Sequence, residues 1–184
     1  MSDKKKFVLG SGELFALEYT GAIPSDEIIE TEENRLGLIS GGATIEYKPN
    51  FYTVEDDIGL CKEPILTSEA LTLKTGVMTP DMSFVDKAAP TVKTTTAANT
   101  KTTKIGGLKN ADGKKYLVRF KHVPAANPDY NLRFTMIGVN QSGFSLGMVK
   151  DKEVIVDMEF AATPMDNTGA LGRFDEPAAL EGGA

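Results

Sequence analysis

The chain has 184 residues, enough for one domain with a sizeable core, and its 41% apolar and 25% charged content is that of an ordinary globular protein. One cysteine, Cys61, excludes an internal disulfide framework, and one histidine, His122, leaves little for a metal or acid–base centre. The net charge of −6 is unevenly spread, because Lys87 to Lys121 holds nine Lys/Arg against a single acid, Asp112. An acidic body with one basic segment fits contacts between copies or a local anion site, and fits equally a solvated loop.

Met1 to Lys6 is polar and is followed by no apolar h-region, so the expectation is a chain made in the cytoplasm, with residues 1–10 as an N-terminal arm. No stretch reaches the roughly 20 apolar residues that span a bilayer. Glu13 to Thr20 alternates as a first strand, with Leu14 and Ala16 on one face and Phe15, Leu17 and Tyr19 on the other. Ser25 to Asn34 is acidic. It reads either as a helical turn capped by Ser25 or as a charge-protected edge strand, and extended structure is the favoured expectation.

Leu36 to Met78 is the longest ordered run. Leu36 and Leu38, then Ala43, Ile45 and Tyr47, keep a period of two on either side of Gly41-Gly42, which predicts a bulge with a one-residue slip. Lys48-Pro49-Asn50 predicts a hairpin tip, and Phe51 to Val54 a returning strand. Glu55-Asp56-Asp57-Ile58-Gly59 is a turn without the alternating ligand spacing of a calcium loop. Ala70 to Thr75 is a further strand, with Leu71 and Leu73 inward.

Thr79-Pro80-Asp81 is a helix start, and Met82, Val85 and Ala89 share one face. A short helix is expected over about 80–89, ended by Pro90 and plugging an open side of a sandwich or barrel. Thr91 to Thr103 is a Thr/Ala/Lys-rich loop or exposed strand. Lys115 to Val123, Asn131 to Val139, Gly143 to Val149 and Glu153 to Ala161 read as four more strands. Beyond Pro164 no periodicity remains, and the tail is expected to be an arm. The fold class is therefore mainly β, sandwich- or barrel-like, with one flanking helix. The domain plan is an arm at 1–10, one β domain over 11–162 and a tail over 163–184.

Searches for chemistry return nothing organised. Gly10-Ser11-Gly12 lacks the third glycine of a dinucleotide loop, Gly113-Lys114-Lys115 is no phosphate loop, and there is no Gly-x-Ser-x-Gly. The expectation is a non-enzyme without catalytic residues, cofactor or metal. The basic segment lacks interleaved aromatic residues for stacking on nucleic acid.

The order Val8-Leu9-Gly10-Ser11-Gly12-Glu13-Leu14-Phe15, then Gly41-Gly42-Ala43-Thr44-Ile45-Glu46-Tyr47, then Leu73-Lys74-Thr75-Gly76 and a short helix, resembles the major tail (tail tube) proteins of long-tailed, non-contractile bacteriophages of Gram-positive bacteria. The resemblance covers roughly residues 7–90. It implies a virion protein, assembled in the host cytoplasm into hexameric rings that stack as a tube for DNA passage. Implied partners are other copies of the chain and the tape measure, tail terminator and distal tail proteins, with double-stranded DNA passing unbound and no membrane involved. Within that reading Lys48, Pro49, Asn50, Phe51 and Tyr52 are inter-ring candidates. Lys101 and Lys104 are candidates for meeting acidic surface on a neighbour, and Glu30, Glu32 and Glu33 for supplying it. The other expectations are a monomeric β-sandwich binding module, of tail-tip or decoration type, for carbohydrate or a cell surface, and the tube of a phage-derived bacteriocin or injection machine.

Overall fold

A computed structural model describes residues 12–55, 57–58, 60–78, 84–111, 113–122, 131–147, 150 and 153–177. The expected arm at 1–10, the tail beyond 177 and the first half of the expected helix lie outside these residues. The chain is mainly β, and its strands run in the order β1 (Glu13–Glu18), β2 (Arg35–Glu55), β3 (Lys62–Met78), β4 (Lys93–Ala97), β5 (Thr100–Lys104), β6 (Tyr116–His122), β7 (Leu132–Gly147), β8 (Ile155–Thr163) and β9 (Gly172–Asp175). The helices are single turns, α1 (Asp26–Ile29) between β1 and β2 and α2 (Val85–Ala88) between β3 and β4.

The main sheet is antiparallel, in the order β6-β1-β2-β3-β8-β7-β9, and β6 also pairs with β7. The sheet therefore closes on itself as a six-stranded barrel, which removes its edges. Leu71 and Leu73 of β3, expected inward, fill it together with Leu14 and Ala16 of β1, Val118 and Phe120 of β6, Phe134 and Met136 of β7, and Val156, Met158 and Phe160 of β8. Phe84, Val85, Ala89 and Val92 join this core, so α2 plugs the barrel as the sequence predicts. Of the expected helix 80–89, the described part is helical only over Val85–Ala88, preceded by a helical turn at Phe84. We call the end where β1 finishes and β6 begins the upper end.

Several expectations are corrected. The chain turns back not at Lys48-Pro49-Asn50 but after Glu55, which pairs with Lys62. Pro49 and Pro64 lie inside β2 and β3, where each strand has the other as its one partner, so a missing N–H is tolerated on the open side. The glycine bulge inserts two residues rather than one, since Ser40 faces Gly76 and Ala43 faces Thr75. Gly41 and Gly42 take φ of +81° and +88°, which a side chain would disfavour. A second bulge leaves Thr67 opposite no residue, and its hydroxyl donates to the Asn50 carbonyl at 3.1 Å.

Asn131 to Val139 and Gly143 to Val149 are not two strands. β7 runs through both, and the Asn140 side chain holds a bulge by donating to the Gly143 carbonyl at 2.7 Å. The region after Pro164 is not wholly irregular. β9 pairs with β7 on the edge where β8 stops, and Phe174 stacks on Phe134 with ring centroids 4.8 Å apart. Residues 25–34 are not an extended strand: Asp26–Ile29 form the single turn α1, and the chain then turns through 30–34 into β2.

Gly138 shows how closely the barrel wall is packed. A Cβ there would lie 2.4 Å from the Ala161 carbonyl oxygen of β8, a contact that only a backbone shift relieves. Gly138→Ala is expected to cost about 2 kcal/mol or more, within the range of overpacked cores, read as a lower urea midpoint with unchanged slope.

Candidate assembly surface

β1 covers the outer edge of β2 only at Arg35 to Leu38, and β8 covers that of β3 only from Thr72 onward. Below these levels β2 and β3 continue together as a two-stranded ribbon leaving the lower end of the barrel. A free hairpin of this kind is marginal in water, because neither face nor edge is covered. This ribbon also carries apolar side chains on both faces. Tyr47, Phe51 and Leu66 lie on one, and Tyr52, Val54 and Ile65 on the other, each roughly half exposed. Ile58 and Leu60 at the turn are 79% and 84% exposed. Both edges present unpaired backbone groups, the arrangement that accepts a further strand.

The ribbon is internally tied. Asn50 donates to the Ser68 hydroxyl at 3.0 Å, and the Tyr47 hydroxyl donates to Glu69 at 2.6 Å, which pushes the phenol above its usual range. Lys48 lies 2.8 Å from Glu46 and, with Lys74, holds that carboxyl below its ordinary value. Lys48, Pro49, Asn50, Phe51 and Tyr52 are thus gathered on the outer half of β2, in mid-ribbon. Their partners across the ribbon, Ile65 and Leu66, escape sequence reasoning, although Ile65-Leu66-Thr67 is a β-favouring run.

Lys101 and Lys104 stand elsewhere. β4 and β5 pair with one another and not with the barrel sheet, in an exposed hairpin with Thr94 and Thr103 hydroxyls 3.0 Å apart. Its base, Lys93 and Thr94, shares a cleft with Glu18, Asn34, Lys114 and Tyr116, placing it at the upper end. The ribbon and this hairpin leave the barrel at opposite ends.

Glu30 is not available to a neighbouring copy. It caps the C-terminal end of α1 over the outer wall of the barrel, where Ile29 fills a second apolar cluster with Phe15 and Leu117. Its carboxylate accepts from Lys121 and from Arg133, each at 2.5 Å, and lies 3.3 Å from Arg119, whose side chain is fully buried. Arg119 also donates to Asp26 at 2.5 Å and to the Thr135 hydroxyl at 3.1 Å. Burial raises the Glu30 carboxyl, but the hydrogen bonds and charges of Arg133 and Lys121 outweigh it and hold it below its ordinary 4.5; the hydrogen bond from Arg119 likewise holds Asp26 below 3.8. Glu32 is exposed and pairs with Arg35 at 2.5 Å, and the Glu33 carbonyl accepts from Lys87 at 3.0 Å. Of the three acidic candidates, Glu30 therefore belongs to an internal clamp.

Because both clamp carboxyls are depressed in the folded state, their stabilisation is complete above the ordinary carboxylate values and is lost as pH falls through the lowered ones. The urea midpoint is expected to hold steady from neutrality down to about pH 5 and to drop below about pH 4. A midpoint that stays flat below about pH 4 would contradict this account of the clamp.

Among the described residues no group of three or more His, Cys, Asp or Glu could hold a metal ion, and no helix is long and apolar enough to cross a membrane. No protein-family model and no curated protein matches the chain.

Proposed function

We propose that the chain is a structural subunit that self-assembles into stacked rings, as the tail tube of a non-contractile bacteriophage does. One observation carries this reading: a closed, filled barrel projects a ribbon with apolar side chains on both faces and two open edges. A monomer gains nothing from that surface, whereas a neighbouring copy covers it and completes its backbone pairing. Copies joined edge to edge through their ribbons form a continuous inner wall, and ring closure leaves no strand unpaired. The excess of acidic over basic residues, 26 against 20, gives such a channel a surface that repels passing DNA. In this reading the protein resides in the virion tail after assembly in the host cytoplasm, against a tape measure protein inside the tube and terminator and distal proteins at its ends.

Negative-stain electron microscopy of the purified chain, with light scattering over a concentration series, tests the proposal. Rings or tubes with an open central channel support it. Monomers at every concentration, with binding to a glycan array, would replace it with the monomeric binding-module reading.

A further inference from the structure

We infer that Phe7-Val8-Leu9 extends β1 along the open edge of β2 in the same chain, and holds that edge closed until a neighbouring copy displaces it; the displacement rests on the tube reading, the pairing does not. The inference starts at Gly12, one residue before β1. Its carbonyl accepts from the Ile39 amide at 2.9 Å, and a Cβ on it would lie 2.3 Å from the Lys121 carbonyl oxygen of β6. The chain is therefore already seated between β6 and β2 at the point where residues 1–11 join it. β6 ends at His122, whereas β2 runs on to Glu55. A segment that keeps to the line of β1 meets β2 alone.

The edge it meets is short and specific. Asn50 turns its carbonyl toward β3, where it accepts from the Thr67 hydroxyl, so Ala43, Ile45, Tyr47 and Pro49 turn their backbone groups outward. Among the described residues no strand pairs with them on that side. Pro49 has no N–H, so the open donors between the Gly41-Gly42 bulge and the proline are those of Ala43, Ile45 and Tyr47. Matched across the bulge, Gly10 comes opposite Ala43, Val8 opposite Ile45 and Lys6 opposite Tyr47. Ala43 and Ile45 are half-buried against the barrel core, and Val8 falls on the same face as Ile45. Phe7-Val8-Leu9 is the one run of large apolar residues within 1–11, and Phe and Val favour strands. Lys6, with Lys4 and Lys5 before it, comes level with the exposed Glu69, whose bond from the Tyr47 hydroxyl leaves its charge unbalanced. A strand from another copy needs the same backbone donors, so the two occupants exclude one another.

Hydrogen exchange on the lone subunit, kept below its assembly concentration, tests the pairing, and the V8P/L9P variant removes it. The Ile45 and Tyr47 amides of the wild type are expected to exchange about tenfold or more slowly than those of the variant, at every concentration, while the β6 amides match in the two proteins. Equal exchange at Ile45 and Tyr47 overturns the inference. So does protection that disappears on dilution, which assigns the edge to another copy's segment. The variant is also expected to form tubes at a concentration about tenfold lower than the wild type, because the edge no longer has to be vacated. An equal or higher threshold overturns the displacement step. If neither protein ever assembles, the tube reading falls and the displacement with it, while the exchange rates still decide the pairing.

Discussion

Replacing Phe51 and Tyr52 together by serine is expected to give a folded protein that does not assemble. The two side chains are adjacent on β2 and so point to opposite faces of the ribbon, where they are 58% and 64% exposed. The lone subunit loses little when they are shortened, because most of their surface already faces water; surface substitutions of this kind cost about 0.5 kcal/mol or less. An assembly loses far more. Covering about 100 Å² of each side chain contributes, at about 25 cal/mol per Å², about 2.5 kcal/mol for each residue. Losing both raises the concentration needed for assembly by a hundredfold or more, since about 2.7 kcal/mol is two decades in an equilibrium constant. Sedimentation gives the assembled fraction and circular dichroism the fold. Tubes from the double variant at wild-type concentration would place the assembly surface elsewhere.

The second large effect concerns the subunit itself. Glu30→Gln keeps the size of the side chain and removes its charge, leaving Arg119, Lys121 and Arg133 with Asp26 as the one remaining clamp carboxylate. Arg119 is fully buried and the Glu30 side chain is 10% exposed, so the unbalanced positive charge cannot recover its hydration. Breaking such a buried pair costs about 3 kcal/mol, read as a lower urea midpoint at neutral pH. The variant also loses most of the acid-induced drop, because the amide that replaces the carboxyl does not titrate. Glu32→Gln is the control. Its side chain is 81% exposed and its pair with Arg35 lies in water, so it changes stability by well under about 1 kcal/mol. Equal losses from the two substitutions would show that the clamp does not hold α1.

The barrel is legible in the sequence where one face of a strand meets the core. β8 alternates cleanly, and Leu71 and Leu73 announce the inward face of β3. The ribbon turn is misplaced by sequence reasoning because proline normally punctuates a strand. Pro49 is tolerated here by the open outer edge of β2, a fact of topology that local sequence does not contain. β9 escapes notice because four residues give no measurable period, and it gains its place from Phe134. The clamp is visible only in fragments. Asp26 and Glu30 have the i, i+4 spacing of one helix face, and Arg119, Lys121 and Arg133 lie on the outward faces of their strands. Their meeting depends on β6 pairing with β1 and β7 with β6, pairings between distant parts of the chain. The ribbon residues Phe51 and Tyr52 are marked by the sequence, but at a supposed tip rather than along an open double edge.

The pairing of Glu13 with Lys121 has a consequence in time. β1 emerges first from the ribosome, yet its long partner β6 is made only after β2 through β5. The β2–β3 hairpin, built from neighbouring segments, can zip up well before that. A half-made chain thus displays its apolar ribbon while the barrel behind it is still open. If copies join through the ribbon as proposed, nascent chains on one message are expected to associate for as long as the barrel stays open.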